Sequence, residues 1–462
     1  MFKYYIKTFG CQMNFSDSER LASFLDSLGL EPLLIKADTD LSSKALTEAD
    51  LVIFNSCGVR KMPEDRAFGQ IHNLRKNNPN IKIALTGCIA QRKDVQQVLK
   101  NKVDLFFSIK NIKLLENFVI ENYFKNLKLK IKNSPSNQEK IAYLSINPKY
   151  TNTFSANVPI MTGCNNFCTY CVVPYARGRE TSRPVAEIIE EIKSLVKNGY
   201  KEITLLGQNV NSYRGELKIK NEKLKISGSQ TLNFSDLLRK INEIPGDFWI
   251  RFITSHPKDM DDVLIDTVTK LEKVCESVHL PIQSGNNKIL EKMNRKYTLQ
   301  HYLDLTEKIK QSFKKNKPAT IFSLSSDIIV GFPGETKKQL EDSALIMKKV
   351  KYDMVYFGQF SPRPETVAWK MKDNVSKVEK ERREKYLNEI LKKTALANNK
   401  KYLNKIFDIL IESKKNGSYF GKTRTLKNVL VKTDKENLIG KIVKVQITKI
   451  STWNLEGKLY EE

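Results

Sequence analysis

Apolar residues recur in changing rhythms along the 462 residues, and those changes divide the chain. In the first 118 residues short apolar runs alternate with helical spacing. Tyr4–Thr8, Leu51–Asn55 and Ile81–Thr86 read as strands of an open parallel sheet. Ser16 and Glu19 have capping-box spacing and predict a helix from there to about Leu28, stopped by Gly29. Leu114–Ile120 predicts another helix. The Lys/Asn-rich stretch that follows, centred on Ser134-Pro135-Ser136-Asn137, makes 119–150 a linker.

From 151 to about 385 the strand and helix patterns alternate six times. The strand candidates are Val158–Thr162, Glu202–Gly207, Trp249–Thr254, Ser277–Pro281, Leu324–Val330 and Met354–Phe360. Of the helices between them, Val185–Asn198 is the clearest, opened by Pro184 and closed by Gly199. Six βα units in succession predict an α/β fold, an incomplete (β/α)6 barrel with its chemistry at the C-terminal strand ends. The Lys/Gly/Ser-rich insertion between Tyr213 and Phe234 reads as an exposed loop. A charged helix from Lys377 to about Lys401 leads into 397–462. There Ile406–Ile411, Val429–Val431 and Ile442–Ile447 alternate like the strands of a small OB-like β-barrel.

Charge adds a partner class. With 78 Lys and Arg against 52 Asp and Glu the formal net charge is +26, which favours a polyanion, nucleic acid first. A Lys- and Asn-rich proteome explains part of that excess. Over Ala397–Glu462 fourteen basic residues face seven acids, with Tyr419, Phe420 and Trp453 among them, a composition suited to RNA. A solvated charged face is the plainer alternative. No apolar run approaches the roughly 20 residues that span a bilayer. Seven cysteines, no signal peptide and no transit helix predict a reduced, cytoplasmic protein rather than a disulfide framework.

Three of those cysteines, Cys164, Cys168 and Cys171, crowd one loop at C-x3-C-x2-C spacing. Structural zinc takes four ligands, commonly as two spaced pairs, and no second pair follows. Three thiolates suit a [4Fe–4S] cube with one iron left open. Cys11, Cys57 and Cys88 each stand just past a strand and beside a glycine, so an open parallel sheet would bring them to one edge. That placement predicts a second cluster, although singly each is more often a small buried hydrophobe than a ligand. Cys275 fits neither triad and reads as core. The segment Gly331-Phe332-Pro333-Gly334-Glu335 lacks the Gly-Lys-Ser/Thr of a P-loop, which excludes nucleoside triphosphate binding there.

The cysteine loop, with Tyr170 before its last Cys, resembles the signature of radical S-adenosylmethionine enzymes. Longer stretches resemble the methylthiotransferases among them, and within these the branch acting on N(6)-dimethylallyladenosine in tRNA. They are Thr8–Asn14, Gly163–Cys168, Val173–Glu180, Leu206–Asn211, Thr254–Pro257 and Asp327–Thr336. Two places depart from the family pattern: Ser56 and Gly58 flank Cys57, and Glu365 stands in Ser361–Thr366. Neither removes a ligand.

The resemblance implies an N-terminal three-cysteine domain (1–118), a radical barrel (151–385) and a C-terminal TRAM domain (397–462). It implies methylthiolation at C2 of the modified adenosine at position 37, beside the anticodon. Cys164, Cys168 and Cys171 would hold the cluster that binds S-adenosylmethionine. Cys11, Cys57 and Cys88 would hold an auxiliary [4Fe–4S] cluster. Tyr170, Gly207, Gln208, Asn209, Gln283 and Asp327 are expected around the cofactor, with His256 at its edge or in a structural turn. The implied partners are tRNA, an electron donor such as flavodoxin or ferredoxin, and a sulfur source. Rival readings are the sister enzymes acting on threonylcarbamoyl-adenosine or a ribosomal aspartate, and an RNA-binding iron–sulfur protein without turnover.

Overall fold

The computed structural model describes residues 2–33, 46, 48–59, 61–124, 143–221 and 226–461. Strands β1 (Lys3–Phe9), β2 (Glu31–Pro32), β3 (Leu51–Ser56), β4 (Lys82–Gly87) and β5 (Leu105–Phe106) form a parallel sheet ordered β2-β1-β3-β4-β5. Every residue of β3 is buried, as an uninterrupted Leu-Val-Ile-Phe run requires of a central strand covered on both faces. Leu51 and Ile53 pack with Leu21 and Phe24 of the helix Gln12–Ser27, and Val52 and Phe54 with Ala67, Ile71 and Leu74 of the helix Lys61–Asn77.

The first helix starts at Gln12, earlier than the Ser16/Glu19 pair suggests. Cys11 keeps an extended backbone, and its N–H donates to Asn14 Oδ1 (3.4 Å), so the helix is capped there. Ser16 and Glu19 lie inside the helix and reach the next unit instead. Ser16 Oγ donates to Asn157 O (3.3 Å), and Thr151 N–H donates to Glu19 Oε1 (3.0 Å). The centre of the expected linker lies outside the described residues, as does the tip of the insertion at 222–225.

The middle of the chain carries β6 (Ser155–Pro159), β7 (Met161–Thr162), β8 (Thr181–Ser182), β9 (Glu202–Leu206), β10 (Arg214–Asn221), β11 (Ile226–Asn233), β12 (Trp249–Phe252), β13 (Ser277–His279), β14 (Ser323–Val330) and β15 (Met354–Gln359). Parallel runs β6-β9-β12 and β13-β14-β15 meet at a bridge from Ile250 to Val274, just before β13. Six strands thus follow one another around an open barrel, with helices such as Val185–Lys197 and Leu299–Asn316 outside. The insertion read as a loop contains an antiparallel hairpin, β10 with β11, from Arg214 opposite Asn233 outward.

The helix Lys377–Asn399 leads to β16 (Ile406–Lys415), β17 (Ser418–Thr423), β18 (Asn428–Lys432), β19 (Ile442–Ile450) and β20 (Asn454–Leu459). These close into a barrel ordered β16-β17-β18-β20-β19 around Ile409, Ile411, Tyr419, Val431, Val445 and Leu455. The small barrel docks on the N-terminal ends of the large barrel's strands. Arg251 pairs with Glu202 and donates to Arg424 O (2.7 Å) and Thr423 O (2.9 Å), Arg424 pairs with Glu276 (2.7 Å), and Lys427 pairs with Asp353 (2.8 Å). Cys275 is buried here with Trp249 and Leu410, a core position as its sequence context suggests.

Candidate iron–sulfur and cofactor site

Cys164, Cys168 and Cys171 lie on the loop that β7 and β8 close, a ladder of two pairs, Met161 with Ser182 and Thr162 with Thr181. Gly163 makes the turn out of it possible. Its φ is +80°, and a Cβ there would stand 2.1 Å from Arg179 O. Cys164 N–H donates to Gly178 O (3.2 Å) and Cys171 N–H to Cys168 O (3.0 Å). The segment after the helix Asn287–Lys292 holds the loop from outside. Asn294 Nδ2 donates to Phe167 O (3.0 Å), and Thr169 Oγ1 donates to Lys292 O (2.9 Å). The buried Arg295 donates from Nη1 to Cys168 Sγ at 3.5 Å. Burial pushes the Cys164 thiol up; burial, with Cys168 beside it, pushes Cys171 up to about 12. Thiols held protonated in this way ionise when a metal takes them.

The second triad is assembled by sheet register. Phe9 of β1 pairs with Ser56 of β3, and Ser56 with Gly87 of β4. Cys57 and Cys88 therefore leave their strands at one level, with Cys11 two residues beyond Phe9. Cys57 N–H donates to Phe9 O (2.8 Å) and Cys88 N–H to Ser56 O (2.9 Å). Glycine lets the turns crowd: a Cβ on Gly10 would stand 2.8 Å from Cys57 Cβ, and one on Gly58 2.9 Å from Cys88 O. Beneath them Asn14 Nδ2 donates to Asn55 Oδ1 (2.9 Å) and Asn55 Nδ2 to Asn14 O (2.8 Å), tying the Cys11 turn to the strand that carries Cys57. The Cys57 thiol hydrogen-bonds to Cys11, which lowers the Cys11 pKa, with Arg177 adding to the effect, and raises that of Cys57. Arg177, next to the Gly178 whose carbonyl accepts from Cys164 N–H, pairs with Asp17 on the helix that Cys11 caps (2.6 Å), which ties the two cysteine turns together across the boundary between sheet and barrel.

The donor sets fit clusters better than single ions. Among the described residues no three His, Cys, Asp or Glu side chains surround one point closely enough to hold a metal ion. Mononuclear zinc would need four ligands at about 2.0–2.3 Å. A cube distributes its thiolates over separate irons, which suits three cysteines on neighbouring turns.

The barrel rim has the character of a polar ligand site. Gln208 Oε1, Asn209 Oδ1, Asn211 Oδ1 and Ser255 Oγ are buried there without partners, and native structures rarely leave such atoms unpaired. Asn209 is oriented by its Nδ2, which donates to Asp259 Oδ2 (2.7 Å). Gly207 lies against Met161, where a Cβ would stand 2.6 Å from its Cγ. Gln283 adopts φ +69°, its N–H donating to Asp327 O (2.8 Å), and Asp327 Oδ2 stands 3.4 Å from His279 Nε2. Tyr170 packs with Ile289, Met293 and Phe332. His256 is a turn residue: its Nδ1 accepts from Lys258 N–H (3.2 Å), and burial, with Arg295 and Lys258 nearby, holds its pKa down to about 2. Four residues near these groups had no assigned role from sequence: Arg177, Glu180, Arg295 and Arg363. Ser212 Oγ donates to Glu180 Oε2 (2.8 Å), and burial raises that carboxyl.

An open six-stranded barrel with three cysteines on the loop after its first strand defines a radical S-adenosylmethionine enzyme, and residues 158–347 match the Radical SAM superfamily. Residues 3–108 match the uncharacterized protein family UPF0004, and residues 400–460 match the TRAM domain. A tRNA-2-methylthio-N(6)-dimethylallyladenosine synthase of Finegoldia magna is 40% identical, covering 99% of this chain and 94% of its own. One of the same name from Clostridium botulinum (strain Loch Maree / Type A3) is 41% identical, covering 99% and 96%. The chain belongs to the tRNA-2-methylthio-N(6)-dimethylallyladenosine synthase family. In fold it is similar to the radical S-adenosylmethionine methyltransferase TsrM of Kitasatospora setae (TM-score 0.51, 14% identity, 80% of this chain and 77% of that one). It is similar also to the cobalamin-dependent S-adenosylmethionine radical enzyme OxsB (TM-score 0.51, 13% identity, 86% and 56%).

Proposed function

We propose that this chain inserts a methylthio group at C2 of N(6)-dimethylallyladenosine at position 37 of tRNA, using S-adenosylmethionine and two [4Fe–4S] clusters. Cys164, Cys168 and Cys171 would hold one cluster and Cys11, Cys57 and Cys88 the other, each leaving one iron free. When bound, these groups supply a 5′-deoxyadenosyl radical and a sulfur atom for an aromatic C–H bond that no acid or base ionises readily. The observation that carries the second cluster is the β1-β3-β4 register, which brings three cysteines distant in sequence to one sheet edge.

The protein's own part is orientation and exclusion of water. Arg295 fixes Cys168 and holds a cation beside its sulfur. Gln208, Asn209 and Asn211 offer unpaired amide oxygens, and Ser255 a hydroxyl, to the polar groups of S-adenosylmethionine. Gly207, Gln283 and Asp327 would complete that rim, with Tyr170 closing its apolar side. His256, neutral and committed to its turn, is left out of proton transfer.

The TRAM domain contacts RNA in this reading. Phe420 and Trp453 are exposed on it, and Lys432 and Lys458 are cross-strand neighbours on its outer face. It sits at the opposite end of the large barrel from the cysteine loop, about 25 Å away for strands of up to eight residues. The tRNA therefore runs along the barrel wall, with position 37 at one end. The divisions at 118, 151, 385 and 397 belong to the same reading, as do an external one-electron donor of flavodoxin or ferredoxin type and a separate sulfur source. Among the described residues no helix is long and apolar enough to cross a membrane. Mass spectrometry of tRNA nucleosides from a strain lacking the gene tests the proposal: the 2-methylthio nucleoside should vanish and its dimethylallyl precursor accumulate. An unchanged nucleoside profile overturns it.

A further inference from the structure

Two buried guanidiniums of the barrel unit reach across to the N-terminal domain that carries Cys11, Cys57 and Cys88. Arg177, at the end of the helix Val173–Arg177 that follows the Cys164 loop, pairs through Nη2 with Asp17 Oδ2 at 2.6 Å. Its side chain is 4% exposed and that of Asp17 0%. Arg363, beyond β15, bonds through Nη1 to Glu64 Oε2 (3.3 Å) and donates from Nη2 to Val59 O (3.1 Å), two residues past Cys57. Each keeps one buried donor nitrogen without a partner, Nη1 of Arg177 and Nε of Arg363.

Around Arg177 positive charge exceeds negative, and around Arg363 the buried carboxylate is shared. Asp17 stands against Arg177, and Lys110 lies close by, its Nζ 3.5 Å from where a Cβ on Gly178 would be. Glu64, buried, is shared by Arg363, Arg92 (2.7 Å) and Lys61 (3.2 Å). The more exposed Asp94 and Asp65 also pair with Arg92 (2.5 Å) and Lys61 (3.1 Å), so Glu64 is the one buried carboxylate Arg363 meets there among the described residues. Buried cations without compensating anions are costly. Three cysteine thiolates on a [4Fe–4S] cube would supply the missing negative charge, increased by one on reduction. Both cations are anchored next to those cysteines: Arg363 on the carbonyl of Val59, two residues past Cys57, and Arg177 on Asp17 in the helix that Cys11 caps.

We propose that Arg177 and Arg363 are positioning residues for the N-terminal iron–sulfur centre, donating their unpaired N–H groups and their charge to it, so that its reduction potential is set by the barrel domain. This rests on the two-cluster reading above. Net charge and hydrogen bonds to sulfur are the protein's ordinary means of setting such potentials. Docking of the two domains and electron affinity of the centre then become linked, since undocking withdraws both cations.

The test uses the full-length chain with Cys164, Cys168 and Cys171 replaced by Ala, reconstituted anaerobically, so that only the N-terminal triad can hold iron. About four irons per chain are expected; their absence sinks the cluster reading itself. Midpoint potentials are then measured by titration followed with electron paramagnetic resonance. Arg177→Gln and Arg363→Gln should each make reduction at least tenfold less favourable, a shift of about 59 mV to more negative potential for one electron. Arg177→Lys and Arg363→Lys, which keep the charge, should recover most of it. Asp17→Asn should shift the potential in the opposite direction, because it unmasks Arg177. Four irons with unmoved potentials overturn the proposal, as do shifts of the same sign in Asp17→Asn and Arg177→Gln. Should the glutamine variants lose their iron, Asp17→Asn alone decides: no positive shift there overturns the proposal.

Discussion

The ion pair at the base of the large barrel gives a prediction that can be worked through in energy. Arg251 and Glu202 are both buried, 5% and 6% exposed, and the guanidinium also serves the backbone carbonyls of Thr423 and Arg424 in the TRAM domain. Replacing Arg251 with Met keeps the length of the side chain and much of its packing against Trp249. It leaves the Glu202 carboxylate buried without a cation, and strips Arg424 O of its donor, while Thr423 O keeps the Leu426 N–H (3.0 Å). Breaking a buried pair in this way costs about 3–5 kcal/mol. Most of that is the stranded charge, so Glu202→Gln in the same chain should recover more than half of the loss. Urea unfolding followed by tryptophan fluorescence measures both, Trp249 lying in the interface. A loss below about 1 kcal/mol, the range of exposed pairs, would refute the claim that this interface is a built one. A double variant as weak as the single would refute the stranded-charge account. If the reasoning holds, deleting the TRAM domain exposes Trp249 and several buried charges, so truncation cannot by itself report on RNA binding.

Two further outcomes follow from the same geometry. Gly58→Ala should leave the fold intact at a cost of about 1–3 kcal/mol, yet lose iron from the N-terminal triad, because the new methyl must push Cys88 O out from 2.9 Å; full iron and full methylthiolation in that variant would contradict the register argument. Lys432→Gln with Lys458→Gln should weaken tRNA binding and flatten the log–log salt dependence by about 1.4–1.8, two phosphate contacts at 0.7–0.9 each; an unchanged slope in filter binding would move the RNA to another face.

The strand-end cysteines were legible because each follows an apolar run and a Gly-Cys or Cys-Gly pair, and a parallel sheet aligns such ends whatever the loops between them do. The barrel was legible for a similar reason, since six alternations of strand and helix admit few arrangements. The start of the first helix was misread at Ser16 and Glu19, whose spacing imitates a cap while their side chains bond to Asn157 and Thr151. Tyr213–Phe234 looked like a loop because lysines and glycines mask the alternation of β10 and β11, a ribbon outside the barrel sheet. The guanidiniums near the sulfurs were beyond any local pattern. Arg295 meets a cysteine 127 positions away, and Arg363 a carboxylate 299 away. Only the folded arrangement of domains gives them neighbours.

The central claim is that two separate triads divide the chemistry, and one reconstitution addresses it. Intact protein loaded anaerobically should carry about eight irons, and the variant with Cys11, Cys57 and Cys88 replaced by Ala about four. That variant should still release 5′-deoxyadenosine from S-adenosylmethionine under a strong reductant, and should form no 2-methylthio nucleoside in tRNA. About four irons in the intact protein, or methylthiolation surviving in the triple variant, would contradict it.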